Sequence, residues 1–286
     1  MGVLNVTPDS FFDGGRFASA GQAQVRVREL IAEGADIIDI GGESSRPGAT
    51  SVSAAEQLDR VEPAIREAVA AGARISIDTT RAEVAERALG LGAQAVNDVS
   101  CLADPGLARV AARAGAVLVL MHTRGELGSM AGFSEYPSDA YHDVVQDVLD
   151  EWKQARDRAV LQGMPRDRIL FDPGLGFAKN GSHSLELLSR LSDFRCLEVP
   201  IVVGPSRKSF ISRVDPSPPE RRLGGTIASC LVAVRRGASV LRVHDVQTVR
   251  QALLVARSIE ALPAAISQLD GEAEVGGTRE ERAARA

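Results

Sequence analysis

Eight short apolar runs recur along the chain, and each is followed by a polar or glycine-rich turn. The runs are rich in Val, Ile and Leu and do not alternate with polar residues, which is typical of strands buried on both faces of a sheet. We expect strands over residues 2–6, 36–40, 74–77, 95–99, 117–121, 169–171, 201–203 and 240–243.

Helical periodicity fills the intervals between these runs. Apolar residues spaced three and four apart predict amphipathic helices, and several of these helices have a start signal. The signals are two pairs with the spacing of a capping box, Ser53 with Glu56 and Thr80 with Glu83, and a cap followed by proline, Asp104-Pro105. The longest helix is predicted over residues 138–161.

Eight strands that alternate with eight helices predict a parallel sheet with right-handed crossovers. Closing eight such units gives an α/β fold, a single (β/α)8 TIM barrel, and 286 residues suit one barrel. An open, doubly wound sheet is the alternative, because periodicity does not show closure. We expect one catalytic domain over residues 1–265. Residues 266–286 are poor in apolar side chains, so we expect a disordered tail there.

Composition narrows the classes of partner. The chain is 44% hydrophobic and 25% charged, which is a globular balance, and its net charge of −5 argues against nucleic acid or an anionic membrane as the main partner. Its three widely spaced cysteines suit a reducing compartment. We find no signal peptide and no apolar run long enough to span a membrane, and we therefore expect a cytoplasmic protein.

Polar side chains follow nearly every predicted strand. They are Asn5, Glu43, Asp78, Asn97, Asp98, His122, Asp172, Ser206 to Lys208, Arg242 and His244. In a parallel barrel all of these positions lie at the carboxyl-terminal face, where barrel enzymes place their sites. A single Asp or His at a strand end is more often a cap or a structural residue. Polar residues after almost all strands indicate a functional site.

Two groups of these residues suggest different ligand chemistry. Arg46, Arg242 and His244 suit a phosphate or pyrophosphate, and Arg242 and His244 are two apart, so both point the same way from one strand. The carboxylates and amide of Asp78, Asn97 and Asp172 suit a flat heterocycle with an amidine-like edge.

A metal site is the alternative to the heterocycle. Only His122 and His244 lie at strand ends, and no His/Asp spacing supports zinc. Magnesium held through substrate phosphates needs only one or two protein oxygens, so magnesium stays open.

Several strings are long enough to be specific. They are residues 1–11 (MGVLNVTPDSF), 13–15 (DGG), 39–49 (DIGGESSRPGA), 76–79 (SIDT), 97–100 (NDVS), 120–122 (LMH), 171–177 (FDPGLGF), 206–209 (SRKS) and 242–245 (RVHD). With these strings in this order, the chain resembles the dihydropteroate synthases of bacterial folate biosynthesis over roughly residues 1 to 260.

The resemblance implies a TIM-barrel transferase of a family that sulfonamides target. It implies condensation of 4-aminobenzoate with 6-hydroxymethyl-7,8-dihydropterin diphosphate through a cation-like pterin methylene, with release of pyrophosphate. It also implies magnesium as cofactor and a homodimer.

The resemblance also assigns residues to each ligand. Those for the pterin are Asp78, Asn97, Met121, Asp172 and Lys208. Those for the diphosphate are Asn5, Ser45, Arg46, Arg242 and His244, with Asn5 also positioning Mg²⁺. Those for 4-aminobenzoate are Phe11, Pro47, Phe177 and Ser209. The catalytic set is Arg46, Asp172, Lys208, Arg242 and His244.

Two positions depart from the family pattern. Cys101 stands where glycine is usual, and Pro205 stands where a small residue other than proline is commoner. We expect the first to alter the loop after strand 4 and the second to shift the approach of Lys208. A pterin-dependent methyltransferase and a non-catalytic pterin-binding paralogue remain as alternative functions.

Overall fold

The computed structural model describes residues 1–7, 20–44, 52–125 and 134–261. The strands in these ranges are β1 (Gly2–Asn5), β2 (Ile38–Gly41), β3 (Ile75–Asp78), β4 (Ala95–Asp98), β5 (Val117–Met121), β6 (Ile169–Asp172), β7 (Ile201–Val203) and β8 (Ala238–Leu241). The α-helices are α1 (Ala20–Ala32), α2 (Ala54–Ala70), α3 (Ala82–Gly90), α4 (Pro105–Arg113), α5 (Val144–Leu161), α6 (Gly181–Ser189), α7 (Ser209–Val214), α8 (Leu223–Arg235) and α9 (Val246–Glu260). The tail predicted over 266–286 lies outside the described residues.

The eight strands form a closed parallel barrel. Each strand pairs in parallel with the next one along the chain, in the order β1 to β8. The circle closes where the segment after β8 pairs with β1: Val3 N donates to Val243 O at 3.0 Å, and Val243 N donates to Met1 O at 3.0 Å. The predicted (β/α)8 barrel is confirmed, and the open doubly wound sheet is wrong.

Two element boundaries differ from the prediction. The last strand ends at Leu241, before Arg242, so the segment predicted as strand 240–243 lies partly beyond it. Helix α5 begins at Val144 rather than near residue 138. The Asp143 carboxylate accepts hydrogen bonds from the backbone N–H groups of Val145 (2.9 Å) and Gln146 (3.1 Å), which places the helix start after Asp143.

The helix caps follow the sequence signals in two of three cases. Ser53 accepts from Glu56 N at 3.1 Å, and Asp104 accepts from Gly106 N at 2.8 Å. The predicted Thr80 capping box is wrong, because α3 begins one residue later and its first N–H, that of Ala82, donates to the Asp104 carboxylate at 3.2 Å. The Asp104 carboxylate therefore caps α4 and also accepts a hydrogen bond from the first residue of α3.

The apolar core lies between the barrel and its ring of helices. Trp152 of α5 is fully buried, meets Phe171 of β6 edge to face at 5.2 Å between ring centroids, and donates its indole N–H to Leu120 O at 2.8 Å. Phe194 also packs against Phe171, with their ring centroids 4.7 Å apart. These contacts fix β5 and β6, whose carboxyl ends carry residues predicted to hold the pterin.

Helices α7 and α8 meet closely at Gly225. A Cβ placed on Gly225 would fall 2.4 Å from Ile211 Cγ2, a distance that real carbon atoms do not adopt. The neighbouring Gly224 is exposed and has no atom within 4 Å of its would-be Cβ. The two glycines therefore differ in what a methyl group would meet, although both lie in the first turn of α8.

We predict opposite effects of alanine at these two positions. Gly224→Ala should raise the free energy of unfolding by about 0.5–1 kcal/mol, the gain in helix propensity. Gly225→Ala should lower it by about 1–3 kcal/mol, the usual cost of overpacking. Denaturant unfolding of both variants measures the difference, and equal effects would contradict the close packing of α7 on α8.

Candidate active site

Three predicted site residues, Asn5, Asp78 and Asn97, lie at one level around the carboxyl end of the barrel. Asn5 of β1 is in register with Gly41 of β2, Gly41 with Asp78 of β3, and Asp78 with Asn97 of β4. Farther round the circle, Met121 of β5 is in register with Asp172 of β6. The strand register thus gathers residues that are far apart in the sequence.

Arg242 is a largely buried cation between the fully buried Asp39 and the partly exposed Asp78. Its Nε donates to Asp39 Oδ2 at 2.6 Å, and its Nη2 donates to Asp78 Oδ2 at 2.6 Å. The same Asp39 oxygen accepts from Asn97 Nδ2 at 3.0 Å. Asp39 thus connects a predicted diphosphate residue, Arg242, to a predicted pterin residue, Asn97.

Asp39 was missed as a site residue because it lies inside an apolar strand run. It is fully buried, and a charged side chain inside such a run is costly unless it is paired. That cost is the signal that could have identified it. A carboxylate within an otherwise apolar strand requires a buried cation, and Arg242 is that cation.

The environment of Asp78 opposes its charge. Burial raises the pKa of Asp78 to about 7, and the negative charges of Asp39 and Asp98 act in the same direction, against the positive charges of Arg242 and Lys208. Near neutral pH Asp78 therefore changes between its acid and its carboxylate forms, and a ligand that donates hydrogen bonds to it favours the carboxylate.

Lys208 reaches the site from the loop after β7. Its Nζ stands over the Phe177 ring at 4.1 Å from the centroid. Burial lowers the pKa of Lys208 to about 7, although Asp172 and Asp78 favour its charged form. The Pro205 carbonyl accepts from Lys208 N at 3.4 Å in a tight turn, and the expected effect of this proline on the approach of Lys208 stays a prediction.

Asp172 is buried at the end of β6 beside a glycine that admits no side chain. Its Oδ1 accepts from Gly174 N at 2.7 Å. Burial raises the pKa of Asp172, while the Gly174 hydrogen bond and the charges of Lys208 and Arg242 lower it. Gly174 has φ +67°, and a Cβ there would fall 2.0 Å from His122 O. Glycine is therefore required where this loop passes close to β5.

His244 lies beside Ser206, with Ser206 Oγ 3.0 Å from His244 Nδ1. Ser206 Oγ also accepts from His244 N at 3.2 Å, which leaves its hydroxyl proton for the ring nitrogen. Burial lowers the pKa of His244 to about 3, and the charges of Arg242 and Arg207 act in the same direction. His244 is therefore neutral near pH 7 and offers an anion a hydrogen bond rather than a charge.

An apolar patch adjoins these charges. Phe177, Met121 and Val99 are buried against one another, separate from the main core. At the start of α7, Ser209 donates a hydrogen bond from Oγ to Ser134 Oγ at 2.7 Å. Both predicted 4-aminobenzoate residues within the described ranges are thus placed near this end of the barrel.

Four predicted site residues lie outside the described residues. They are Phe11, Ser45, Arg46 and Pro47.

The loop that carries Cys101 forms in spite of the missing glycine. Cys101 and Leu102 adopt φ values of 57° and 61°, in the left-handed region that favours glycine. Asp98 holds the turn by accepting from Ser100 N at 2.9 Å and from Leu102 N at 2.6 Å. Asp98 is thus a turn residue, as one of the two interpretations of the sequence allowed.

This site combines buried carboxylates and an amide, cations opposite them, an apolar patch and an arginine–histidine pair. It defines a barrel enzyme that binds a flat, nitrogen-rich ring together with an anion. The family model described as pterin binding enzyme matches residues 1–244. A dihydropteroate synthase of Synechocystis is 42% identical over 264 residues, which cover 91% of this chain and 89% of that protein.

Two solved structures are also similar. The Yersinia pestis dihydropteroate synthase with a sulfonamide drug has a TM-score of 0.85 at 38% identity, covering 92% of this chain and 94% of that one. The Xanthomonas albilineans dihydropteroate synthase with 4-aminobenzoic acid has a TM-score of 0.84 at 40% identity, covering 92% and 93%. The chain belongs to the pterin binding enzymes and, within them, to the dihydropteroate synthase family.

We predict that Asp78→Asn stabilises the protein at pH 8 while it impairs activity. The folded-state pKa of about 7 lies above the ordinary 3.8, so ionised Asp78 opposes folding increasingly as pH rises from about 4 to 7, and fully above that. Asparagine removes this penalty. Denaturant unfolding should therefore show a gain over the wild type at pH 8 and little gain at pH 4. A variant less stable than the wild type at pH 8 would contradict the pKa shift.

Proposed function

We propose that this chain joins 4-aminobenzoate to 6-hydroxymethyl-7,8-dihydropterin diphosphate, giving 7,8-dihydropteroate and pyrophosphate. The observation that carries the proposal is the ring of Asp78, Asn97 and Asp172 facing Lys208 and Arg242, in a chain of the dihydropteroate synthase family. The enzyme is a transferase.

The pterin would lie at the carboxylate side of the site. The acceptor oxygens of Asp78, Asn97 and Asp172 suit the N–H donors of a pterin edge. The Asp172 carboxylate also stabilises positive charge that develops on the pterin methylene as its C–O bond breaks. Lys208 lies beside the ring position, near both Asp172 and Asp78.

The departing diphosphate needs the opposite charge. Arg242 keeps its positive charge, since burial is outweighed by the two carboxylates that raise its pKa. His244 adds an N–H donor, and Ser45 and Arg46 complete the anion pocket in this proposal. The amine of 4-aminobenzoate then forms the new C–N bond and loses a proton. Because the carbon is cation-like, no strong general base is required.

The second substrate would lie near the apolar patch. The Phe177 ring offers an apolar face, Ser209 offers a hydroxyl, and Phe11 and Pro47 complete this pocket in the proposal. A sulfonamide that mimics 4-aminobenzoate would compete for the same place, as the drug complex of the Yersinia relative suggests.

We propose magnesium as the cofactor. The donor set fits an ion held mainly by the substrate diphosphate, because the described ranges hold no cluster of His, Cys, Asp and Glu suited to a metal. Asn5 would supply an amide oxygen. Gly41 lies between Asn5 and Asp78, and a Cβ there would be in ordinary van der Waals contact with both, 3.5 Å from Asn5 Oδ1 and 3.4 Å from Asp78 Cβ. When bound, Mg²⁺ would neutralise charge on the leaving group.

The two alternative functions have less support. A pterin-dependent methyltransferase would need neither Lys208 nor the Arg242–His244 pair, and this chain has both features. Cys101 and Pro205 are the two residues that favour a non-catalytic paralogue. The turn that contains Cys101 forms with a hydrogen bond from Leu102 N to Asp98, and Lys208, after Pro205, lies near Asp172.

Release of pyrophosphate tests the proposal directly. We expect release from the pterin diphosphate that requires both 4-aminobenzoate and magnesium, with 7,8-dihydropteroate formed in equal amount. Asp172→Asn should lower kcat/KM roughly a hundredfold or more, as removal of a charge-stabilising group does. Tight pterin binding without turnover would support the paralogue, and methyl transfer from a methylated folate would support the methyltransferase.

We also propose a homodimer and a cytoplasmic location. None of the helices in the described ranges is long and apolar enough to cross a membrane. The three cysteines are unpaired, which suits a reducing compartment. Helices α8 and α9 line a groove of about 460 Å³, and its lining includes the exposed apolar residues Val255 and Ile259. The same two helices also expose Val232, Val234 and Leu254.

Sedimentation velocity gives the oligomeric state. We expect a dimer, and we expect Val255→Asp to shift it to monomer because a charge on a packed apolar face is costly. Val25→Asp on α1, a similarly exposed valine that does not line this groove, is the matched control. A wild-type monomer at micromolar concentration would contradict the proposal.

A further inference from the structure

Lys179 is a fully buried lysine that no step of the proposed reaction uses. The chain has 30 arginines and only three lysines, Lys153, Lys179 and Lys208. Most of its basic positions are therefore occupied by arginine. Lys208 faces the site and Lys153 lies on the outside of α5. Lys179 therefore stands at a position with a specific need for a compact ammonium group.

The Lys179 ammonium group has three acceptors for its three N–H donors. Its Nζ lies 2.9 Å from His122 Nδ1, 3.0 Å from Phe177 O and 3.3 Å from His122 O. Burial lowers the pKa of Lys179 to about 7, while the nearby Asp172 favours its charged form. An ammonium with every donor matched is the form that this geometry accommodates. A planar guanidinium would not match the same three atoms.

His122 is fixed as the acceptor by groups on α5. Its Nε2 lies 3.0 Å from Glu151 Oε2, and Glu151 in turn accepts from Arg124 Nε at 2.9 Å. Burial and the Lys179 charge lower the pKa of His122 to about 4, so the ring is neutral. With its proton on Nε2 toward Glu151, the ring leaves Nδ1 as an acceptor for Lys179. The chain of contacts thus runs from α5 to the loop after β6.

That loop carries parts of both substrate pockets. Lys179 binds the carbonyl of Phe177, whose ring joins the apolar patch and lies under Lys208 Nζ. Between them, Ala178 adopts φ 47°, a left-handed conformation that is costly for alanine, and its carbonyl accepts from Tyr141 OH at 2.9 Å. The loop is therefore held in a strained shape by side chains behind it.

Lys179 also acts on the charge of Asp172. It is one of three cations whose charge favours the Asp172 carboxylate, with Lys208 from the β7–α7 loop and Arg242 from the segment after β8. Lys208 and Arg242 face the substrate side. Lys179 acts from behind the loop, with its three N–H donors bound to protein atoms.

We propose that Lys179 is a positioning residue, whose ammonium group pins the β6–α6 loop to the end of β5 and so presents Phe177 and ionised Asp172 to the two substrates. The proposal rests on the proposed function, since it assigns a role within that site. Lys179 does not contact substrate. Its effect passes through the Phe177 carbonyl and through the charge that Asp172 faces.

Three variants separate the two effects. In Lys179→Met, KM for 4-aminobenzoate should rise and kcat/KM should fall roughly tenfold to a hundredfold, as loss of positioning does. Removal of a cation raises the pKa of Asp172, so the acidic limb of the kcat/KM profile should move to higher pH. Lys179→Arg should keep the wild-type acidic limb and still lose kcat/KM. Lys153→Met, an exposed position on α5, is the matched control and should change neither.

A merely structural role predicts a different result. Lys179→Met would then lose activity only in proportion to its folded fraction, with both KM values and the acidic limb unchanged, and this result would overturn the proposal. Turnover by the wild type tests the proposed function separately. If the wild type turns over and the variants match it, this inference alone fails.

A second measurement covers a Lys179→Met variant that does not fold. With ¹³Cε-labelled lysine, the wild type should give three signals, assigned with Lys153→Met and Lys208→Met. At pH 6 the Lys179 signal should have the chemical shift of an ammonium group. Addition of 7,8-dihydropteroate should move the Lys179 signal and leave the Lys153 signal in place. A Lys179 signal that is neutral at pH 6, or that ignores the ligand, would overturn the proposal.

Discussion

The site depends on one buried cation, the guanidinium of Arg242, which lies between the carboxylates of Asp39 and Asp78. These partners are 203 and 164 residues away along the chain. They meet because the segment after β8 pairs with β1 and closes the barrel, so that Arg242 projects toward β2 and β3. A buried ion pair is costly to form, and two of its members here, Arg242 and Asp78, are also the residues proposed to meet the substrates.

The charges around this cation are arranged so that several groups change ionisation near neutral pH. Burial raises the pKa of Asp78 and lowers that of Lys208, both to about 7, while Arg242 stays charged and His244 stays neutral. A polar ligand that pairs with these groups offsets the free-energy cost of burying their charged forms. The site thus gives up some folding stability in exchange for electrostatic interactions with substrate, a common relation at active sites.

The loops that present these groups are held from behind. Gly174 lets the loop after β6 pass against the His122 carbonyl, and Lys179 and Tyr141 fasten the same loop to neighbouring elements. After β4, Asp98 holds a turn through two backbone N–H groups even though Cys101 replaces the expected glycine. Hydrogen bonds to buried carboxylate and ammonium groups therefore support backbone conformations that the local sequence disfavours.

The sequence alone determined the barrel class, because eight mainly apolar runs alternating with helical periodicity have few other solutions. It also predicted which strand ends carry the site, and its resemblance to the family predicted that Asp78, Asn97, Asp172, Lys208 and Arg242 bind the ligands. Only the tertiary structure decided the closure between β8 and β1, and the contacts of Asp39 and Lys179. Asp39 lies within a mainly apolar run. Lys179 lies just after the motif of residues 171–177, and no sequence pattern marks it as a functional residue. What makes both important is burial beside charges that are remote in sequence, which local patterns do not record.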